Sequence, residues 1–249
     1  MFTRVKTEAE LERMRTSGRM LATVHQAIRK FAVPGVTEID VAQLAAKELK
    51  ALGGTPTFLG YYGFPDVICI SVNDAVVHGI PKNRELKDGD LASFDFGVTY
   101  EGMVTDSAFS MVIGKGSTDV QQLISVTEQS MLAGIAVLKD GVMTGDIGAA
   151  VEAVLNLHKY GIVRDLVGHG VGHSLHEEPD IANYGVAGTG KQLSAGMTIA
   201  IEPMANMGTE RIIMEDDGWT VRTADGKPSA HFEHTVLITE SGAEILTTL

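Results

Sequence analysis

The sequence predicts an α+β fold made of two related halves, and three observations lead there. The order helix, helix, strands occurs twice along the 249 residues. Short matches recur in the same order, Met20-Leu21-Ala22 ahead of Gly35-Val36 and Met131-Leu132-Ala133 ahead of Gly141-Val142. No Pro/Gly/Ser-rich linker divides the chain, so the halves read as one domain, with pseudo-repeats at about 5–118 and 119–249 related by a pseudo-twofold. Strands from both halves would line a site between them, and such interfaces favour ligand binding.

Each element has a local reason. Thr7-Glu-Ala-Glu10 is a capping box, and Leu11, Met14, Leu21, Val24 and Ile28 follow at helical spacing until Pro34-Gly35 stops the helix. Thr37-Glu-Ile-Asp40 starts a second helix that runs to Gly53-Gly54. Strand-like runs dominate from there to Ile113. Helices resume over Val120–Leu138 and Asp146–Tyr160, and strands return, clearest at Met197–Ile201 and His234–Thr239.

Composition excludes several classes. A net charge of −12 without a long basic run speaks against nucleic-acid binding, and Lys82-Asn-Arg84-Glu-Leu-Lys87 reads as a solvated turn. The single cysteine, Cys69, allows no internal disulfide and no Cys-based zinc site, which fits a reducing, cytoplasmic compartment. It lies in an apolar strand-like run and reads as a small buried hydrophobe. The N-terminus lacks a signal-type apolar core, and no apolar stretch is long enough to span a bilayer.

The chemistry is carried by polar residues in apolar or glycine-rich settings. Asp95 and Asp106 flank a turn at Glu101-Gly102, so a hairpin there brings them opposite or diagonal to each other. Two carboxylates in apolar surroundings need a cation or a shared proton. Gly168-His169-Gly170-Val171-Gly172-His173 places histidines at i, i+4, but its glycines argue against a helix, and no His-Glu-x-x-His is present. Glu202 ends the apolar run Ile199–Ile201, and Glu233 opens another in His231-Phe-Glu233-His-Thr-Val-Leu-Ile. Together Asp95, Asp106, His169, Glu202 and Glu233 form a set that two divalent metals would neutralise, with a hydroxide as the natural bridge. One imidazole among hard oxygens suits Mn, Fe, Co or Zn better than Ca.

In these contexts the five residues resemble the ligand set of the methionine aminopeptidases, of the pita-bread (creatinase/aminopeptidase) fold. The resemblance runs from about residue 5 to the end. It includes Leu59-Gly-Tyr-Tyr-Gly-Phe-Pro65, Cys69-Ile-Ser-Val-Asn73, His78-Gly-Ile-Pro81, Gly168-His-Gly-Val-Gly172, His176-Glu-Glu-Pro179, Ile201-Glu-Pro203 and Glu233-His-Thr235. It implies a curved antiparallel sheet with helices on the outer face.

It also implies roles. Asp95 binds one metal, Asp106 and Glu233 bridge both, and His169 and Glu202 complete the other shell. A metal-bridging hydroxide attacks the scissile carbonyl, with Glu202 as general base. His176 hydrogen-bonds the oxyanion, and His78 holds the amide nitrogen or the following residue. The substrate's α-amino group sits at a metal, which makes the enzyme an exopeptidase. Tyr61, Phe58, Phe64, Cys69, Leu175 and Trp219 line the methionine pocket. Phe58 and Phe64 depart from the bacterial pattern, which has a small residue and Tyr there; Phe58 either narrows the pocket or is a neutral core exchange. A monovalent cation is implied near Asn73 and Ser229. His173 and His231 are read as lying near the ligands but outside the set, and His234 as facing the opposite side of its strand.

The implied activity is removal of the N-terminal methionine from nascent proteins, preferentially when the second residue is small. The implied enzyme is a cytoplasmic monomer of the short bacterial type with a transient ribosome contact. Xaa-Pro peptidases of the same fold normally carry a large preceding domain, whereas here the first helix starts near residue 7. A catalytically inactive pita-bread binding module is the alternative of a different class, and such modules lose metal ligands.

Overall fold

The computed structural model describes residues 1–249. Four helices form: α1 (Glu8–Phe31), α2 (Glu38–Leu52), α3 (Thr118–Ala136) and α4 (Thr144–Leu157). The capping boxes act as read. Thr7 and Glu10 satisfy each other's backbone N–H groups at the start of α1, as do Thr37 and Asp40 at the start of α2, each worth about 1 kcal/mol. The later helices begin two residues before the sequence reading and end sooner. Ser117 caps α3 by accepting the Val120 N–H, and Asp146 reaches back to the Met143 N–H. Lys159, at φ 59, breaks α4 before Tyr160.

The strands of the first half are β1 (Thr55–Pro56), β2 (Cys69–Val72), β3 (Ala75–Val77), β4 (Leu91–Tyr100) and β5 (Met103–Val112). The second half supplies β6 (Gly161–Ile162), β7 (Gly168–Gly170), β8 (Glu177–Ile181), β9 (Thr198–Ile201) and β10 (Met204–Asn206). It continues with β11 (Ile212–Met214), β12 (Val221–Thr223), β13 (Ser229–His231), β14 (Glu233–Ile238) and β15 (Ala243–Ile245). Nine strands make one antiparallel sheet in the order β1-β4-β5-β14-β9-β7-β8, with β2 paired to β4 and β15 to β14. Two small sheets, β13-β10-β6 and β11-β12-β3, flank it.

The β4–β5 hairpin turns at Glu101 (φ 45) and Gly102 (φ 80), the two left-handed residues of a type I′ turn. Its register pairs Gly97 with Asp106 and Asp95 with Ala108, so the aspartates stand diagonal rather than opposite. On the outer side, α1 buries Leu21, Val24 and Ile28 with Phe94, Phe96 and Phe109 in the main core. The α3 and α4 residues Leu123, Met131, Ile147 and Val151 join the same cluster with Ile199, Ile201 and Val236. No helix is long and apolar enough to cross a membrane.

Candidate active site

Strand parity builds the site. On the central sheet Cys69 pairs with Asp95, Asp95 with Ala108, and Ala108 with Glu233. His234 pairs with Ile201, so Glu233 is followed across the ladder by Glu202, one residue past the end of β9. Cys69, Asp95, Ala108, Glu233 and Glu202 thus form one row across five strands. Asp106 is two residues from Ala108 on the same face. Gly170 pairs with Ile199, which sets His169 beside Ala200 on that face too. Ala108 in the middle of the row leaves space between the carboxylates. Gly97, paired with Asp106, makes room for Phe58, since a Cβ there would lie 2.7 Å from the Phe58 ring.

The five sequence-assigned ligand residues come together in one cavity of about 150 Å³, which His78 and His176 also line. His169 Nε2 is 3.4 Å from Glu202 Oε1, and His169 Nδ1 hydrogen-bonds the Gly170 carbonyl at 2.9 Å. That bond places the proton on Nδ1 and leaves Nε2 as an open lone pair. The Asp106 backbone is fixed by Thr235, whose hydroxyl donates to the Asp106 carbonyl (2.8 Å) and accepts its N–H (2.9 Å). Asp95 Oδ1 and Glu233 Oε1 are buried without a hydrogen-bond partner.

Burial, followed by the neighbouring carboxylates, pushes Asp95, Glu202 and Glu233 well above the usual carboxylate range. Asp106 is raised by burial to about 7, with the Ser107 N–H holding it lower than its neighbours. Burial depresses His169 to about 3 and His78 to about 4, with His176 adding to both shifts. Neutral imidazoles and carboxylates crowded without a counter-charge are what a cation site requires. Asp106, His169 and Glu233 offer ligand atoms within 4.8 Å of one another, and so do Glu202, His231 and Glu233. The donor set fits divalent metal ions.

Phe58, Tyr61, Phe64, Cys69, Leu175 and Trp219 line the same cavity. They pack as an apolar cluster separate from the main core, with Phe64 edge-on to Trp219 at 5.1 Å and to Phe58 at 6.4 Å. Cys69 is buried as expected, and its thiol is raised far above its normal range by burial and then by Asp95. Tyr61 Oη is 3.0 Å from His176 Nδ1. Tyr62, which sequence reasoning missed, also lines the cavity, although it is exposed and left-handed (φ 46); only its place in Tyr-Tyr-Gly hinted at it. A second cavity of about 360 Å³ shares His78, His169, His176 and Glu202 and continues past Glu178, Asp180 and Met204.

Three expectations resolve differently from one another. His234 faces away, its Nδ1 2.8 Å from Thr247 Oγ1 on the outer side of the sheet. His173 does not lie near the ligands. Gly172 (φ 146) turns the chain aside, and His173 Nε2 sits 2.8 Å from Glu10 Oε1 at the first turn of α1. His231 does reach the ligands: its Nε2 is 3.7 Å from Glu202 Oε2. Asn73 and Ser229 also meet, the Ser229 N–H donating to the Asn73 carbonyl at 2.9 Å. Their side chains hydrogen-bond Asp90, Leu91 and Ala205.

A buried cluster of four carboxylates and an imidazole, at the centre of this sheet beside an apolar pocket, defines a metallopeptidase, and the chain belongs to metallopeptidase family M24, whose model matches residues 12–240. Methionine aminopeptidase 1 of Bacillus subtilis is 44% identical over 97% of this chain and 98% of its own length. The methionine aminopeptidase of Clostridium perfringens is 43% identical over 98% of each. The crystal structure of methionine aminopeptidase from Thermotoga maritima superposes with a TM-score of 0.98, at 42% identity over 100% of both chains. Prolidase from Pyrococcus furiosus, at 23% identity, has a TM-score of 0.81 over 98% of this chain and 65% of its own. That likeness shows the shared pita-bread fold alone.

Proposed function

We propose that this M24 peptidase removes the N-terminal methionine from peptides and nascent proteins, preferentially when the next residue is small. The observation that carries this reading is the apolar cavity of Phe58, Phe64, Leu175 and Trp219 opening directly onto the carboxylate cluster. Its uncharged aromatic and aliphatic lining suits an unbranched thioether side chain. Near-full-length identity of about 44% to a methionine aminopeptidase supports it. The second cavity, beyond His78 and His176, would take the residues after the scissile bond.

Asp95, Asp106, His169, Glu202 and Glu233 would hold two divalent ions drawn from Co, Mn, Fe and Zn. When bound, the ions offset the carboxylates' charge and acidify the attacking water. Glu202 takes a proton from that water as it adds to the scissile carbonyl, then delivers it to the leaving amine nitrogen. His176 donates to the carbonyl oxygen as negative charge develops there. Tyr61, with its hydroxyl donating to Nδ1, keeps the His176 proton on Nε2, where the donation is needed. His78 holds the scissile amide nitrogen or the following residue. A monovalent cation between the Asn73 and Ser229 segments belongs to the same reading.

The test offers the metal-reconstituted enzyme Met-Ala-Ser, Leu-Ala-Ser and Ala-Pro-Ala. Cleavage of the first alone is expected; preferential cleavage of Ala-Pro-Ala would move the chain to the Xaa-Pro peptidases.

A further inference from the structure

A second buried imidazole stands against the same carboxylates, and its place in the site extends the metal-centre reading, on which it rests. His231 ends β13 at 1% exposure, two residues before Glu233. Its Nε2 is 3.7 Å from Glu202 Oε2, while Glu202 Oε1 is 3.4 Å from His169 Nε2. Glu202 therefore lies between two imidazoles with one oxygen toward each. Neither ring nitrogen of His231 has a hydrogen-bond partner. A buried imidazole must place one N–H and one lone pair somewhere, and leaving both unmet is costly.

The distances discriminate between partners. At 3.7 Å the His231–Glu202 contact is too long for a hydrogen bond. It does match two ligands of one ion, since donors about 2.1 Å from a metal lie about 3 to 4 Å apart. Glu202, His231 and Glu233 offer donor atoms all within 4.8 Å of one another, the same criterion that Asp106, His169 and Glu233 meet. The two groups share Glu233, and the 3.4 Å between Glu202 and His169 meets the same spacing, so Glu202 has an imidazole at ligand distance from each of its oxygens.

We propose that His231 is a metal-ligating residue of this centre, sharing an ion with Glu202 and Glu233, so that the site carries two imidazoles rather than one. The added nitrogen donor moves the site's preference toward Zn, Co and Fe and away from Mn. It also holds the Glu202 carboxylate at Oε2, while His169 stands at Oε1.

The experiment counts imidazoles directly. Full-length protein labelled with 15N-histidine is reconstituted with Co²⁺ and examined by paramagnetic NMR, with Co²⁺ affinity measured by calorimetry. Two hyperfine-shifted rings are expected in the unsubstituted protein and one in His231→Gln, with at least one Co²⁺ step weakened about tenfold or more. A single coordinated ring in the unsubstituted protein, with Co²⁺ bound, overturns the assignment of His231 alone. Failure to bind any divalent ion overturns both this assignment and the metallopeptidase reading. If His231→Gln does not fold, the ring count of the unsubstituted protein decides the matter.

Discussion

Asp95 and Glu233 flank Ala108 across three adjacent strands, each paired in register with that one small residue. Each also keeps one buried oxygen without a hydrogen-bond partner. The sheet thus holds two unsatisfied carboxylates on either side of a gap the size of a missing side chain. Neither could be buried this way in a core built only for stability.

The first prediction concerns pH and metal removal. Burial raises Asp106 to about 7 and Asp95, Glu202 and Glu233 above the usual range. In chelator-treated protein the folded state then binds more protons than the unfolded state as pH rises past the unfolded carboxylate values, so stability falls with pH. The depressed imidazoles His25, His78, His169, His176, His231 and His234 act oppositely, an effect that fades as pH rises about a unit past their unfolded value of 6.5. Above about pH 7.5 the unfolded histidines are also neutral and the raised carboxylates dominate, so the Tm of chelated protein should drop across the window from about pH 7.5 to about 8.5. Saturating Co²⁺ or Mn²⁺ should flatten the slope. A chelated Tm that rises across it would contradict the carboxylate cluster.

Replacing Glu202 with Gln keeps the shape and removes the base. Turnover of Met-Ala-Ser should fall about 10²- to 10⁴-fold. Steady-state kinetics at saturating metal checks this, and wild-type kcat would rule out the role.

His176→Ala should lower kcat about 10²-fold or more while leaving metal content unchanged, because it acts on the oxyanion and not on the ions. Tyr61→Phe removes only the 3.0 Å bond to Nδ1. It should cost less, about tenfold at most, since the imidazole then samples both tautomers. Kinetics paired with elemental analysis separates these outcomes from simple metal loss.

Phe58 lines the apolar cavity and packs against Gly97. Phe58→Ala should widen it and raise cleavage of Leu-Ala-Ser relative to Met-Ala-Ser by about tenfold, the usual scale for pocket size effects. An unchanged ratio of kcat/KM values would make Phe58 a packing residue only.

Much of this was legible in the chain. Each ligand carboxylate interrupts or borders an apolar run, and a charge there is so costly that it announces a partner. Capping boxes and the Glu101-Gly102 turn mark α1, α2 and the β4–β5 hairpin because their hydrogen bonds are local. Strand alternation likewise put His234 on the outer face.

What adjacency in sequence cannot decide is distance between segments. His173 and His231 look alike from the sequence, each a histidine within four residues of a proposed ligand. Gly172 carries His173 off to Glu10, while the β13-to-β14 connection brings His231 to 3.7 Å from Glu202. Likewise Asp95 and Asp106 could pair opposite or diagonally until Gly97 was seen to face Asp106. By itself the sequence singled out carboxylates set in apolar runs, and with them the class of chemistry, because burial cost belongs to each residue and its immediate neighbours. Only the tertiary structure decided which carboxylate faces which, how wide the apolar cavity is and that the His231 imidazole lies 3.7 Å from Glu202. Register between β5, β14 and β9 is a long-range choice, set by packing on both faces of the sheet at once.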